Sequence, residues 1–291
     1  MSLPIKSLHL KELFEELVEE LPKIRNYPKT VITLPNDHYP FPVQKLVTMQ
    51  GVVEGFSMVK YFHIDEVANQ KTGKAILYSP TGNVLAEIDA TLLTNIRAAL
   101  MACLVVIKAG VTPEVVAFVG TGNINQLTAK FMRELFGSQH FLLLNSKANP
   151  DKGFSPFKEV GEVEICKSIQ ELSQADVLIC CSNNIDRGSL HNEFEGDLCS
   201  TESYTHFPLT ITQDSGYTLG DKFRQRCELY TDDYYQLNLH LADEFPFDEE
   251  LPNYHRSILH DNVFLPANVC LYGLGSADVF VLRKLWELGY V

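Results

Sequence analysis

Val115-Val-Ala-Phe-Val-Gly120-Thr-Gly122-Asn-Ile-Asn125 is the stretch that decides how this chain is read. An unbroken apolar run, as in a buried parallel strand, meets a glycine pair and then the opening of a helical pattern. Gly120 permits a tight turn and Gly122 lets backbone approach a pyrophosphate, while the helix start offers unpaired N–H groups and partial positive charge. A glycine pair can simply terminate a strand; the strand, turn and helix in immediate succession point instead to dinucleotide binding. The fingerprint's third glycine is replaced by Asn125, which predicts looser packing of helix against strand.

Downstream, the pattern continues as alternating strand and helix: Asn125–Phe136 closed by Gly137, then Phe141–Leu144, Val163–Ile165, Ser168–Gln174 and Val177–Cys181. That order predicts a parallel sheet covered on both faces. The second strand should end beside the adenosine ribose, and Asn145-Ser146-Lys147 occupies that place where an Asp or Glu would hold a 2′-OH. An amide, a hydroxyl and a cation suit a 2′-phosphate, which favours NADP over NAD; the alternative is an ordinary polar turn with Lys147 in solvent. The cofactor-binding candidates are Gly120, Thr121, Gly122, Asn123 and Ile124, Asn145, Ser146 and Lys147, and Cys181 with Ser182 after a later strand. Residues 183–268 show one clear strand, Leu209–Thr212, among acidic loop-rich stretches, before a strand at Val269–Tyr272 and a helix over Ser276–Leu288.

Upstream, Leu10, Leu13, Phe14, Leu17, Val18 and Leu21 recur at helical spacing, giving an amphipathic helix that stops near Pro22. From Val31 to Ile88, the short runs Lys45–Met49, Met58–Phe62, Ala75–Tyr78 and Val84–Ile88 predict an antiparallel sheet with turns at Thr72–Gly73 and Pro80–Asn83. A helix apolar nearly all round follows, with Thr91 as its expected N-cap and Gly110 as its end.

Composition narrows the function. The chain has 291 residues with 45% apolar and 21% charged residues, which excludes collagen-like and disordered classes. Lys+Arg number 24 against 37 Asp+Glu, a net charge of −13, which argues against a nucleic-acid partner. The acidic N-terminus is unlike a signal or transit peptide, and the longest apolar run, Ala98–Ile107, is short for a membrane span, so a cytoplasmic protein without membrane contact is expected. Seven scattered cysteines fit reduced thiols, and no paired ligand spacing supports a metal site.

Several segments together resemble the ornithine cyclodeaminase/mu-crystallin family: Met58-Val-Lys60, Tyr78-Ser-Pro-Thr-Gly82-Asn-Val-Leu-Ala86-Glu-Ile-Asp89, Leu93-Thr94-Asn-Ile-Arg97-Ala98-Ala99, Gly120-Thr-Gly122 and Leu271-Tyr-Gly-Leu-Gly275-Ser-Ala-Asp278. The resemblance implies an α/β chain in which a Rossmann-like dinucleotide-binding domain, 113–273, is inserted into an α+β substrate and dimerisation domain, 1–112 plus 274–291. It also implies a homodimer. Lys60 matches the active-site lysine, Arg97 the arginine that grips the α-carboxylate, Lys29 the place of a further carboxylate-binding arginine, and Asp214 the acid/base aspartate. In this reading Gly120–Gly122 holds the diphosphate of NADP or NAD, and the small-molecule substrate is an amino or imino acid.

The implied activity is NAD(P)-dependent reduction of a ketimine or cyclic imino acid. Ornithine cyclodeaminase, amino acid dehydrogenase or opine-type synthase chemistry is the alternative in the same class, and a non-catalytic NADPH-dependent binder of the mu-crystallin type is the alternative outside it. Each residue also has a plain structural role open to it. Lys60 could snorkel at a sheet surface, Arg97 could pair with Glu87 or Asp89, and Asp214 could shape a turn.

Overall fold

The structure is a computed structural model and describes residues 5–23, 27, 29–34, 44–65, 70–144, 153–181, 207–213, 227–238 and 254–291. The chain divides into two units, residues 1–97 with 273–291 and residues 98–272.

The first unit is built on an antiparallel sheet in sequence order: β1 (Thr30–Leu34), β2 (Gln44–Val53), β3 (Phe56–Asp65), β4 (Gln70–Tyr78) and β5 (Val84–Asp89). Side chains alternate between faces along a strand. Met58, Lys60 and Phe62 of β3 therefore share the inner face with Val47 and Met49 of β2 and with Ala75 and Leu77 of β4, and all are buried. Helix α1 (Ser7–Glu20) and the C-terminal helix belong to this unit. The expected turn at Thr72–Gly73 is instead the interior of β4, where Gly73 faces Phe62. A Cβ on Gly73 would lie 2.0 Å from the Tyr61 carbonyl oxygen, so this glycine serves close backbone approach and not a reversal. The Pro80–Asn83 turn is present, with Gly82 at φ 84° and its N–H donating to the Ser79 carbonyl at 2.9 Å.

Helix α2 (Ala90–Lys108) carries the division between the units, after Arg97. Its cap is Asp89 and not Thr91: Asp89 Oδ1 accepts the Leu92 N–H at 2.8 Å, the N-cap geometry two residues earlier than expected. At 19 residues α2 is long and apolar enough to cross a membrane, a length hidden in the sequence because Arg97 interrupts the apolar run, and most of it is buried inside the protein.

The second unit holds a parallel sheet. Its strands are β6 (Val115–Val119), β7 (His140–Leu144), β8 (Glu162–Cys166), β9 (Val177–Cys180), β10 (Leu209–Thr212), β11 (Glu228–Thr231), β12 (Arg256–Ser257) and β13 (Ala267–Cys270), in the spatial order β12-β11-β13-β10-β9-β6-β7-β8. The order in which strands are added reverses between β6 and β9, which run parallel, and this is the topological switch point of a doubly wound fold, where ligands bind beyond the carboxyl ends of the strands. Helix α3 (Asn123–Phe136) follows β6 and ends at Gly137 in the left-handed conformation, φ 77°. The short helix α4 (Ser155–Lys158) precedes β8, and Ser168–Gln174 supplies only a 3₁₀ turn at Gln170–Leu172. Strands β11 and β12 escape a sequence reading because each is short and ends on polar residues.

Candidate active site

In the second unit, Gly120 closes β6 with φ 89°, a conformation that a side chain resists, and its N–H donates to the Leu144 carbonyl at 2.8 Å. Gly122 is the N-cap residue of α3 at φ −70° and ψ 170°, angles any residue adopts. Its value is space: a Cβ there would meet nothing within 4 Å, while no side chain caps the helix and no acidic residue lies in its first turn. An open place in front of a helix N-terminus, at the sheet's switch point, fits a diphosphate. Asn123 and Ile124 form the first helical turn, and Gln126 Nε2 donates to the Thr121 carbonyl at 2.8 Å, holding the bend in shape. The Cys181 N–H donates to Val119 at 3.2 Å, which places Cys181 at the same end of the sheet.

Asn125 does the reverse of loosening this corner. It is fully buried, and its Nδ2 donates to the carbonyls of Val119 at 3.0 Å and Gly120 at 2.8 Å, so the side chain fastens the helix start to the strand end. A polar group able to satisfy carbonyls can replace the close contact a glycine would allow. Its Oδ1 is buried without a partner among the described residues. Asn145, Ser146, Lys147 and Ser182, like Asp214, lie outside the described residues.

In the first unit, the inner face of the sheet carries Lys60 with 0% exposure, which removes the snorkelling alternative. Lys60 lies opposite Met49 and Ala75, and its ammonium pairs with Asp278 Oδ2 and donates to Thr94 Oγ1 at 3.3 Å. Asp278 stands in the first turn of α5 (Gly275–Glu287) and is itself fully buried. The other oxygen of Asp278 accepts Arg97 Nε at 3.4 Å, so one carboxylate spans both cations. Arg97 therefore takes neither alternative partner: Glu87 pairs with Lys74 at 2.5 Å, and Asp89 caps α2.

Close backbone contacts set this geometry. A Cβ on Gly275 would sit 2.3 Å from the Gln50 carbonyl oxygen and one on Gly51 2.8 Å from Gly275, so the start of α5 lies directly on β2. Gly273, at φ 110°, leaves the space in which the Arg97 guanidinium rests, 2.8 Å from where a Cβ would be.

Two buried cations share one buried anion, and the electrostatics follow. Burial pulls the Lys60 ammonium down to a pKa of about 8 against the upward pull of Asp278, and Arg97 pushes it the same way as burial. Burial, and then the charges of Lys71, Arg97 and Lys45, bring Lys29 to about 8 as well. The terminal nitrogens of Arg97 take no hydrogen-bond partner among the described residues, so the planar fork keeps donors that a carboxylate could accept from, although its side chain is 7% exposed.

Asp278 is the residue the sequence reading quoted without assigning it a task. The signal was partial: a buried lysine and a buried arginine demand an anion, but the sequence also offered Glu87 and Asp89, and the structure identifies Asp278.

No family sequence model and no curated protein sequence matches the chain. Solved structures do. The chain is similar to Thermococcus litoralis Δ1-pyrroline-2-carboxylate reductase in complex with NADH and L-proline, at a TM-score of 0.70 and 15% identity over 96% of this chain and 92% of that one. It is similar to an archaeal alanine dehydrogenase dimer with bound NAD, at 0.69 and 16% over 97% and 91%. A lysine cyclodeaminase matches at 0.68 and 12% over 97% and 87%. Identities this low establish the fold alone: this chain shares the fold of the reductase, the dehydrogenase and the cyclodeaminase.

Proposed function

We propose that the chain is an NAD(P)-dependent oxidoreductase of imino and amino acids, working as a ketimine or cyclic imino acid reductase. The observation that carries this reading is the buried Lys60–Asp278–Arg97 cluster, in which Asp278 takes the Nε of an arginine whose terminal nitrogens have no hydrogen-bond partner among the described residues. Net reduction adds one hydride to the imine carbon and one proton to the nitrogen. Gly120 to Ile124 would hold the dinucleotide by backbone N–H groups, and that cofactor, when bound, supplies the hydride.

Arg97 binds the α-carboxylate through its terminal nitrogens, with Lys29 adding charge, and so fixes the orientation of the adjacent C=N bond. Lys60 Nζ, with a pKa lowered to about 8, holds a proton within the same charge cluster and is a group suited to proton transfer. Asp214, the sequence's other acid/base candidate, retains that proposed role. Ser146 and Lys147 support NADPH over NADH. A cytoplasmic setting belongs to the reading, supported by free thiols at Cys103, Cys166, Cys180, Cys181, Cys227 and Cys270.

We also propose a homodimer joined through the outer face of the antiparallel sheet. Ile32, Val52, Val59 and Val84 stand exposed there, an apolar set on the side away from Lys60, and the alanine dehydrogenase of the same fold is a dimer.

Oxidation of NADPH or NADH, followed with Δ1-pyrroline-2-carboxylate and Δ1-piperideine-2-carboxylate, tests the activity. Turnover that disappears in Arg97→Ala and Lys60→Ala is expected. Unchanged turnover in both variants would refute the site assignment.

A further inference from the structure

The inner face of the sheet carries more positive charge than one α-carboxylate uses. Lys71 of β4 lies opposite Ile64, and Lys45 of β2 lies opposite the same residue from the other side, so the two lysines flank Ile64 on the face that bears Lys60. Lys71 as a whole residue is exposed, yet its ammonium is folded back onto the protein, 4.0 Å from the centroid of the buried Phe62 ring. The Lys60 ammonium lies 5.5 Å from the centroid of that same ring. Two ammonium groups over one aromatic ring are close enough for a single small molecule to span.

Their anionic partners are unequal. Lys60 has Asp278 in direct contact, Arg97 Nε has the other oxygen of Asp278, and in the proposed reaction the rest of the Arg97 fork takes one substrate carboxylate. Among the described residues, no carboxylate lies within ion-pair distance of Lys71; the carboxylates it senses are Asp278, committed to Lys60 and Arg97, and Asp89, committed to the start of α2. Burial and the Arg97 charge lower the Lys71 pKa, the direction expected of an ammonium that lacks an anion. A surface lysine with no task extends into solvent, where its charge is better hydrated. This one spends its charge beside other cations, which an arriving anion would relieve.

We infer that the substrate carries a second anionic group, a side-chain carboxylate, and that Lys71 receives it over the Phe62 ring. The inference rests on the proposed imino acid chemistry for its first carboxylate and narrows the substrate to dicarboxylic imino or amino acids. Arg97 takes the α-carboxylate and Lys71 the distal one, which makes Lys71 the residue that selects the side chain.

The test has a catalytic arm and a binding arm. In the first, the holoenzyme reduces imines formed in place from ammonium and 2-oxoglutarate, or from ammonium and 2-oxopentanoate, a pair of equal chain length that differs by the distal carboxylate. A kcat/KM preference for the dicarboxylic substrate of about ten- to hundredfold is expected, the worth of one charge-assisted contact. Lys71→Met should bring the ratio near unity, mainly through KM, and Lys71→Arg should keep it. In the second arm, calorimetric titration compares 2-oxoglutarate with 2-oxopentanoate on parent and Lys71→Met protein without turnover.

Dicarboxylate binding that depends on Lys71, with no reduction of any imine, upholds the subsite and refutes the proposed activity. Reduction that ignores the distal carboxylate upholds the activity and overturns the subsite. Equal affinity for the two acids, or a preference untouched in Lys71→Met, also overturns it.

Discussion

Replacing Asp278 with Asn keeps the size of the side chain and removes the one anion that Lys60 and Arg97 share. The protein then has two ways to respond. It can keep both cations charged and buried, which costs about 3–5 kcal/mol for a pair broken by loss of one partner. Alternatively, Lys60 can release its proton. With a starting pKa of about 8, that costs about 1.4 kcal/mol at pH 7, and less once the anion no longer holds the proton in place. The second route is cheaper at neutral pH, so the variant should be destabilised by about 1.5–3 kcal/mol there, the worth of lost hydrogen bonds to charged groups. At pH 5 the same deprotonation costs about 4 kcal/mol, which closes the gap to the first route. Destabilisation by Asp278→Asn should therefore grow as the pH falls from about 8 to about 5 and level off near the 3–5 kcal/mol ceiling. Urea titrations of parent and variant across that range measure it directly. A constant difference between the two proteins would show that Lys60 does not exchange its proton for its partner, and the account of the cluster would be wrong.

Three further outcomes follow from other parts of the molecule. Gly122→Ala places a methyl group in empty space at ordinary backbone angles, so melting should change by no more than about 0.5 kcal/mol while NADPH affinity drops at least about tenfold; unchanged titration by cofactor fluorescence would remove the diphosphate from that bend. Parent stability should rise gently above about pH 8 and fall above about pH 9. Lys60 and Lys29 have folded pKa values below the unfolded one, so the unfolded chain binds more protons in that window; the thiols of Cys103, Cys166 and Cys227, held up by burial, reverse the sign once unfolded thiols ionise. Denaturant midpoints against pH check this, and a steady decline from about pH 7 would contradict it. Val59→Glu puts a charge in the exposed apolar set of the outer sheet face and should shift sedimentation from dimer to monomer with catalysis per chain retained; a dimer that persists locates the contact elsewhere.

The parallel-sheet half was legible because its signals are local. An apolar strand, a glycine bend and a helix start occupy consecutive positions, and each has a conformational requirement that few residues meet. Asn125 was misread for the converse reason. Its residue type departs from the pattern, and only the positions of the Val119 and Gly120 carbonyls show that an amide can do by hydrogen bonding what a glycine does by absence. Gly73 was misread in the same sense, since a glycine that permits a turn and one that permits a close strand crossing look alike until the neighbouring Tyr61 carbonyl is placed.

The charge cluster was half legible. Alternation along Met58–Phe62 already sends Lys60 to the same face as its apolar neighbours, and a lysine there is either wrongly placed or partnered. What alternation cannot give is the identity of the partner, because Asp278 is 218 positions away and reaches Lys60 only through the contact of Gly51 with Gly275. Those two glycines have no positive φ to advertise them; their role exists only between two distant segments. The part of a site that depends on long-range backbone approach is thus the part a sequence conceals. In this chain that part is also the one that sets the charge of Lys60, so the residue easiest to nominate from sequence owes its chemistry to the one hardest to foresee.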